Sequence, residues 1–273
     1  STSGSTSTSI NNNNNMDLAS VVPALSPDWR STGFTPPDAV RGRLGIDFRR
    51  ASEGELEVQT APDGPSLRLA QDADHACLGA VVWDCGLVMA QVLARLGSEL
   101  RGASVLELGS GTGIVGLTAA HLGAGRCVLT DLPDLVDLLR RNVASNSAGD
   151  GGAVVVAPLV WGSPRSEFPV EVSGSAAPDL VLCSDLLYEP KGHQPLVDTL
   201  AEVCGLATTI LFTVKLRFPE REAAFFELLE RQLSMKVLGG PAAAVGADCP
   251  QGISVFVARR GGIARKAAIS STC

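Results

Sequence analysis

The chain is poor in aromatic and imidazole side chains: of its 273 residues one is tyrosine, three are histidine, and the aromatics together make up 4%. Its seven cysteines, Cys77, Cys85, Cys127, Cys183, Cys204, Cys249 and Cys273, include no C-x-x-C pair and no ligand-like spacing to His75, His121 or His193. That pattern argues against a zinc site and against a disulfide framework. Reduced, buried thiols in a cytoplasmic compartment are expected, with the nucleus also open, and no signal peptide is visible at the start. No apolar run reaches the ~18 residues that suggest a membrane span. Basic residues are the scarcer charge, 22 against 29 acidic for a net −7. A surface of that sign repels phosphate backbones and favours basic partners, so nucleic acid is not expected to bind.

What is present reads as an ordinary folded protein, with 45% hydrophobic and 19% charged residues. Residues 1–15, STSGSTSTSI and five asparagines, are low-complexity and are expected to be a disordered leader or a linker. Residues 16–55, with prolines at 23, 27, 36 and 37, predict an irregular arm. Leu56–Thr60 and Ser66–Ala70 alternate apolar with polar residues around Pro62-Asp-Gly-Pro65, which predicts a β-hairpin at the head of a domain spanning 56–260. A flexible tail is expected over 261–273.

Beyond the hairpin, short apolar runs alternate with amphipathic stretches, the pattern of βα units. Strands are predicted at 104–108, 127–130, 153–156, 180–183 and 208–214, and helices near 84–97, 114–123, 134–145, 192–204 and 220–233. Two last runs, 235–238 and 252–259, have no crossover helix between them and fit an antiparallel pair on one edge. The expected fold class is therefore α/β: a doubly wound, seven-stranded, mostly parallel sheet with an antiparallel edge pair, preceded by the hairpin.

The strongest local motif is Val105-Leu-Glu-Leu-Gly-Ser-Gly-Thr-Gly113, a strand running into three alternate glycines, followed by the helical pattern from Ile114. Such glycines let the backbone bend and approach a ligand closely at the carboxyl end of a parallel strand. About twenty residues later a second strand ends in Asp131, placed to accept hydrogen bonds from ribose hydroxyls. Gly111-Thr-Gly-Ile-Val-Gly116 also fits the dinucleotide pattern G-x-G-x-x-G. Two features favour S-adenosyl-methionine instead: the glycines begin at Gly109, and a carboxylate, Glu107, precedes the turn, where it can help organise the cofactor's methionine end.

In order and at matching separations, Gly79-Ala-Val-Val-Trp-Asp84, the loop 107–113 with Thr130-Asp131, a lone Trp161 and Ser184-Asp-Leu-Leu-Tyr188 make residues 78–260 resemble the class I seven-strand methyltransferases. Within them the chain resembles the protein-lysine methyltransferase group called methyltransferase family 16. The resemblance implies S-adenosyl-methionine as cofactor, S-adenosyl-homocysteine as product, and a protein substrate presenting a lysine. It implies that Trp83 lines the cofactor pocket, that Gly109, Ser110, Gly111 and Gly113 face the methionine end, that Asp131 holds the ribose, that Trp161 borders the adenine, and that Ser184 lies where the fourth core strand reaches the cofactor. Asp185 and Tyr188 are the expected catalytic pair. Asp185 would capture and orient the lysine, and Tyr188 would wall its channel.

Other readings stay open at this point, namely methylation of a small molecule or of another side chain such as histidine, and a silent binding module. Lys215, Arg217 and Arg221 read as a solvated charge cluster at a loop, with Phe225 and Phe226 partly core. Asn142 and Asn146 read as helix caps.

Overall fold

The computed structural model describes residues 48–60, 64–146, 153–242 and 252–260, with residues 16, 21, 22 and 25–28. The leader, most of the arm, the centre of the hairpin turn, the tail, Cys249 and Cys273 lie outside the described residues.

Alternation with period two builds the sheet. Strands β3 (Ser104–Leu108), β4 (Arg126–Asp131), β5 (Ala153–Pro158), β6 (Leu180–Ser184) and β7 (Thr209–Lys215) are parallel, and β8 (Met235–Pro241) and β9 (Ile253–Arg260) close one edge antiparallel, in the order β5-β4-β3-β6-β7-β9-β8. The expected fold class holds. On β3 and β7, Val105 and Leu211 face one core while Leu106, Leu108, Ile210 and Phe212 face the other. Burial on both faces explains why these strands read as nearly continuous apolar runs.

Helices α1 (Asp84–Leu96), α2 (Ile114–His121) and α3 (Pro133–Asn146) contribute to the first core, and α4 (His193–Val203) and α5 (Pro219–Leu233) to the second. In the second core Phe212, Phe225, Phe226 and Phe256 meet at centroid spacings of 4.2–5.8 Å. Phe225 and Phe226 are fully buried rather than partly so. Because the chain runs β3-β4-β5 toward one edge and then returns to place β6 on the other side of β3, the point where the strand order reverses lies between β3 and β6, with its ligand face at their carboxyl ends. That is where doubly wound sheets bind ligands.

The hairpin, β1 (Glu55–Gln59) and β2 (Ser66–Ala70), is docked by α3. Asn142 and Asn146 are not caps. The Asn142 amide accepts from Ala70 N (2.8 Å) and donates to Ala70 O (3.0 Å), and the Asn146 amide does the same at Arg68 (2.9 and 2.7 Å). One helical turn spans roughly the two-residue repeat of a strand, so the two amides complete the free edge of β2 as a neighbouring strand would. Asn142 also donates to Thr112 O at 2.9 Å and thereby ties the hairpin to the glycine loop. Asn142→Ala is expected to cost about 2–3 kcal/mol in denaturant unfolding, because it strands buried backbone groups of Ala70 and Thr112.

Candidate functional site

Five elements converge at the carboxyl edge of the sheet. Gly109, Gly111 and Gly113 take φ of 64°, 55° and 86°. These left-handed positions suit glycine and curl the chain between β3 and α2. Ser110 N donates to Thr130 O (2.9 Å) and Gly113 N to Ser110 O (2.8 Å). The Asp131 carboxylate accepts from Gly111 N (2.6 Å) on one oxygen and Leu132 N (2.7 Å) on the other. Burial raises the Asp131 pKa, and these two N–H groups oppose the rise.

Glu107 lies beneath the loop rather than in it. It is buried, and its Oε2 accepts from Gly116 N at 2.9 Å in the first turn of α2. Burial pushes its carboxyl from 4.5 up to about 8. A carboxyl with a raised folded pKa contributes stability below its unfolded pKa, and that contribution is lost as pH rises through the folded value. Relative to Glu107→Gln, the parent is therefore expected to lose stability between about pH 4.5 and 8, by at most about 1.4 kcal/mol per pH unit. Chemical denaturation of both proteins at pH 5 and pH 8 checks this.

Aromatic side chains flank the loop. Trp161 approaches Gly109 so closely that a Cβ there would lie 3.2 Å from its ring. Trp83, just ahead of α1, donates its indole N–H to Leu78 O at 2.9 Å. The intervening Gly79 packs directly against Gly111. Ser184 ends β6, and its Oγ accepts from Thr213 Oγ1 at 3.2 Å.

Asp185 follows with φ 56°, one of two described non-glycine residues at positive φ. Aspartate visits this region more readily than most residues do. Its carboxylate is held by Arg217, whose Nη1 and Nη2 donate to Asp185 Oδ1 and Oδ2, both at 2.8 Å, with both side chains under 10% exposed. Asp185, expected to capture and orient the lysine, is thus already paired with a cation of the chain itself. Lys215 and Arg217 are likewise buried, not a solvated cluster. The Arg217 guanidinium also sits 5.8 Å from the Trp83 ring centroid, so it links the turn after β6 to the segment ahead of α1.

Tyr188 is half exposed, at 49%. Burial raises its phenol pKa first, then the charges of Asp131 and Asp185, which keeps the hydroxyl protonated at neutral pH. Nearby, His193 bonds Leu187 O through Nε2 at 3.2 Å and meets Phe225 edge-on, a packing role.

All eleven expected site residues lie at or just under this edge. The Arg217 partnership with Asp185 is not part of the sequence motif, in which Arg217 reads as a solvated loop charge. The available signal was a cation two residues past β7 beside an acid one residue past β6, since neighbouring parallel strands end side by side. Among the described residues no group of three potential ligands could hold a metal ion, and no helix is long and apolar enough to cross a membrane.

A family model described as lysine methyltransferase matches residues 61–232. The protein N-lysine methyltransferase METTL21A of Mus musculus is 35% identical over 172 residues, which cover 62% of this chain and 75% of that protein. The EEF1A lysine methyltransferase 3 of Xenopus tropicalis is 33% identical over 165 residues, 60% of this chain and 70% of that protein.

Proposed function

This chain belongs to the lysine methyltransferase family, and from that membership we propose that it transfers the methyl group of S-adenosyl-methionine to a lysine side chain of a protein. The observation that carries the reading is the meeting of the glycine loop, Asp131 and the Asp185–Tyr188 turn on one sheet edge.

The residues present fit the cofactor. Each Asp131 oxygen has accepted a single backbone N–H, and a carboxylate offers about four acceptor sites, so capacity remains for a ribose diol. Backbone of the loop 109–113 would face the methionine end, and Trp161 with the exposed Leu132 and Val160 would supply an apolar border for the adenine. When bound, the cofactor supplies an electrophilic methyl carbon on a sulfonium. The chain's own tasks are to align the acceptor nitrogen with that carbon and to exclude water. Asp185 and Tyr188 would line the lysine channel, with the Tyr188 hydroxyl available as donor or acceptor.

A macromolecular acceptor is supported by where the apolar surface lies. Of seven large hydrophobic side chains exposed among the described residues, Leu78, Leu132, Val160, Tyr188 and Phe218 follow the carboxyl ends of strands or precede Trp83, around the proposed opening. An apolar rim of that kind suits a protein surface. Incubating the chain with cell lysate and methyl-labelled S-adenosyl-methionine is expected to label discrete protein bands that yield methyl-lysine on hydrolysis. Label confined to small molecules, or methyl-histidine in the bands, would replace this reading.

A further inference from the structure

A lysine amine near pKa ~10.4 is protonated at neutral pH and must lose its proton before it can take a methyl group. A bare carboxylate beside it would work against that loss, since an opposite charge within about 4–6 Å raises an amine's pKa by roughly 1–3 units. The Asp185–Arg217 pair removes the conflict. Resting on the reading just given, we propose that Arg217 is a positioning residue whose guanidinium cancels the charge of Asp185, so that the acceptor opening receives lysine as the neutral amine.

Three observations carry this. The contact is a two-point fork at 2.8 Å on both oxygens, the geometry in which guanidinium and carboxylate charges offset most completely. Both partners are buried, so solvent does not screen them. The guanidinium of the fork also lies 5.8 Å from the Trp83 ring centroid, which sets the pair between the cofactor side and the acceptor side.

The surrounding groups do not undo the cancellation. On α1, Asp84 is paired with Arg50 at 2.6 Å, and burial holds the Cys85 thiol protonated. On β7, burial lowers the Lys215 pKa, and the Arg217 charge lowers it further against opposing contributions from Cys85, Asp84 and Asp185. On α5, both oxygens of Glu222 accept from Phe218 N (3.1 and 3.0 Å), and burial pushes its carboxyl up to about 7. In the turn after β6, Tyr188 is a neutral phenol, Glu189 lies near Lys191 at 3.9 Å, and Arg221 donates to Tyr188 O at 3.4 Å. For Arg217 itself, burial opposes the charged form, but its hydrogen bonds and charge contact with Asp185 outweigh that.

The test is the pH dependence of methyl transfer to labelled lysate protein, together with S-adenosyl-methionine affinity and thermal unfolding of each variant. Arg217→Gln is expected to move the acid limb of the rate profile up by about one pH unit or more, losing at least tenfold at pH 7 and recovering most of that at pH 9 and above. Arg217→Lys keeps the charge and is expected to keep the parent limb at a reduced ceiling. The double variant Asp185→Asn/Arg217→Gln strands no charge, so it remains informative if Arg217→Gln does not fold. Its limb is expected at the parent position. A limb in Arg217→Gln that coincides with the parent's, or one displaced equally in Arg217→Lys or in the double variant, overturns the proposal. Absence of any transfer by the parent chain would instead remove the functional reading beneath it.

Discussion

Gly111→Ala is expected to weaken S-adenosyl-methionine binding by about 10²-fold and to lower stability by about 3 kcal/mol, read by titration calorimetry and denaturant unfolding. Two costs meet at this position. The backbone has φ 55°, where any side chain is strained, and an added Cβ would lie 2.6 Å from the carbonyl oxygen of Gly79. That obstacle is main chain and cannot swing aside as a side chain does. Relief requires moving the segment that leads into Trp83, or moving the loop off Asp131 and breaking the 2.6 Å bond from Gly111 N. Either movement disturbs the cradle. Gly54→Ala is the control: nothing lies within 4 Å of its added Cβ and its φ is not left-handed, so a change within about 0.5 kcal/mol is expected.

Asp185→Asn is expected to reduce turnover by about 10²-fold while cofactor affinity stays within a few-fold. Asparagine tolerates left-handed backbone, so the substitution changes charge and hydrogen bonding more than chain path. Asparagine can satisfy only one arm of the Arg217 fork, leaving a buried guanidinium partly uncompensated at a cost of about 3 kcal/mol. The loss of turnover follows from the carboxylate's place: its fork with Arg217 stands at the start of the turn that carries Tyr188, and asparagine releases one of the two arms. Single-turnover labelling separates the chemical step from binding. Turnover equal to the parent's would remove Asp185 from the site.

Local pattern carried most of the architecture. The β3 boundaries were legible to the residue, because an apolar run bounded by Gly102 and Gly109 leaves little freedom, and the antiparallel pair β8–β9 followed from the missing crossover helix. Asp131 was legible for a similar reason, since strand, loop and acid lie within one βα unit. Contacts between distant segments were not. Asn142 and Asn146 sit 72 and 78 residues from their partners in β2, and nothing in the helical pattern of α3 distinguishes an amide that completes a strand edge from one that caps a turn. Arg217 presents the same difficulty: pairing with Asp185 depends on the β6–β7 register, which sets Ser184 opposite Thr213, and register is a property of the assembled sheet.

The placement of β9 has a consequence for the order in which the molecule can be made. Its strand is the last of the sheet along the chain, yet it lies inside the edge, hydrogen-bonded to β7 on one side and β8 on the other. A chain that ends before Ile253 therefore leaves an open ladder on both of those strands, with Phe212 lacking its partner Phe256, so the inner pairing of this sheet is completed only once the final strand has emerged.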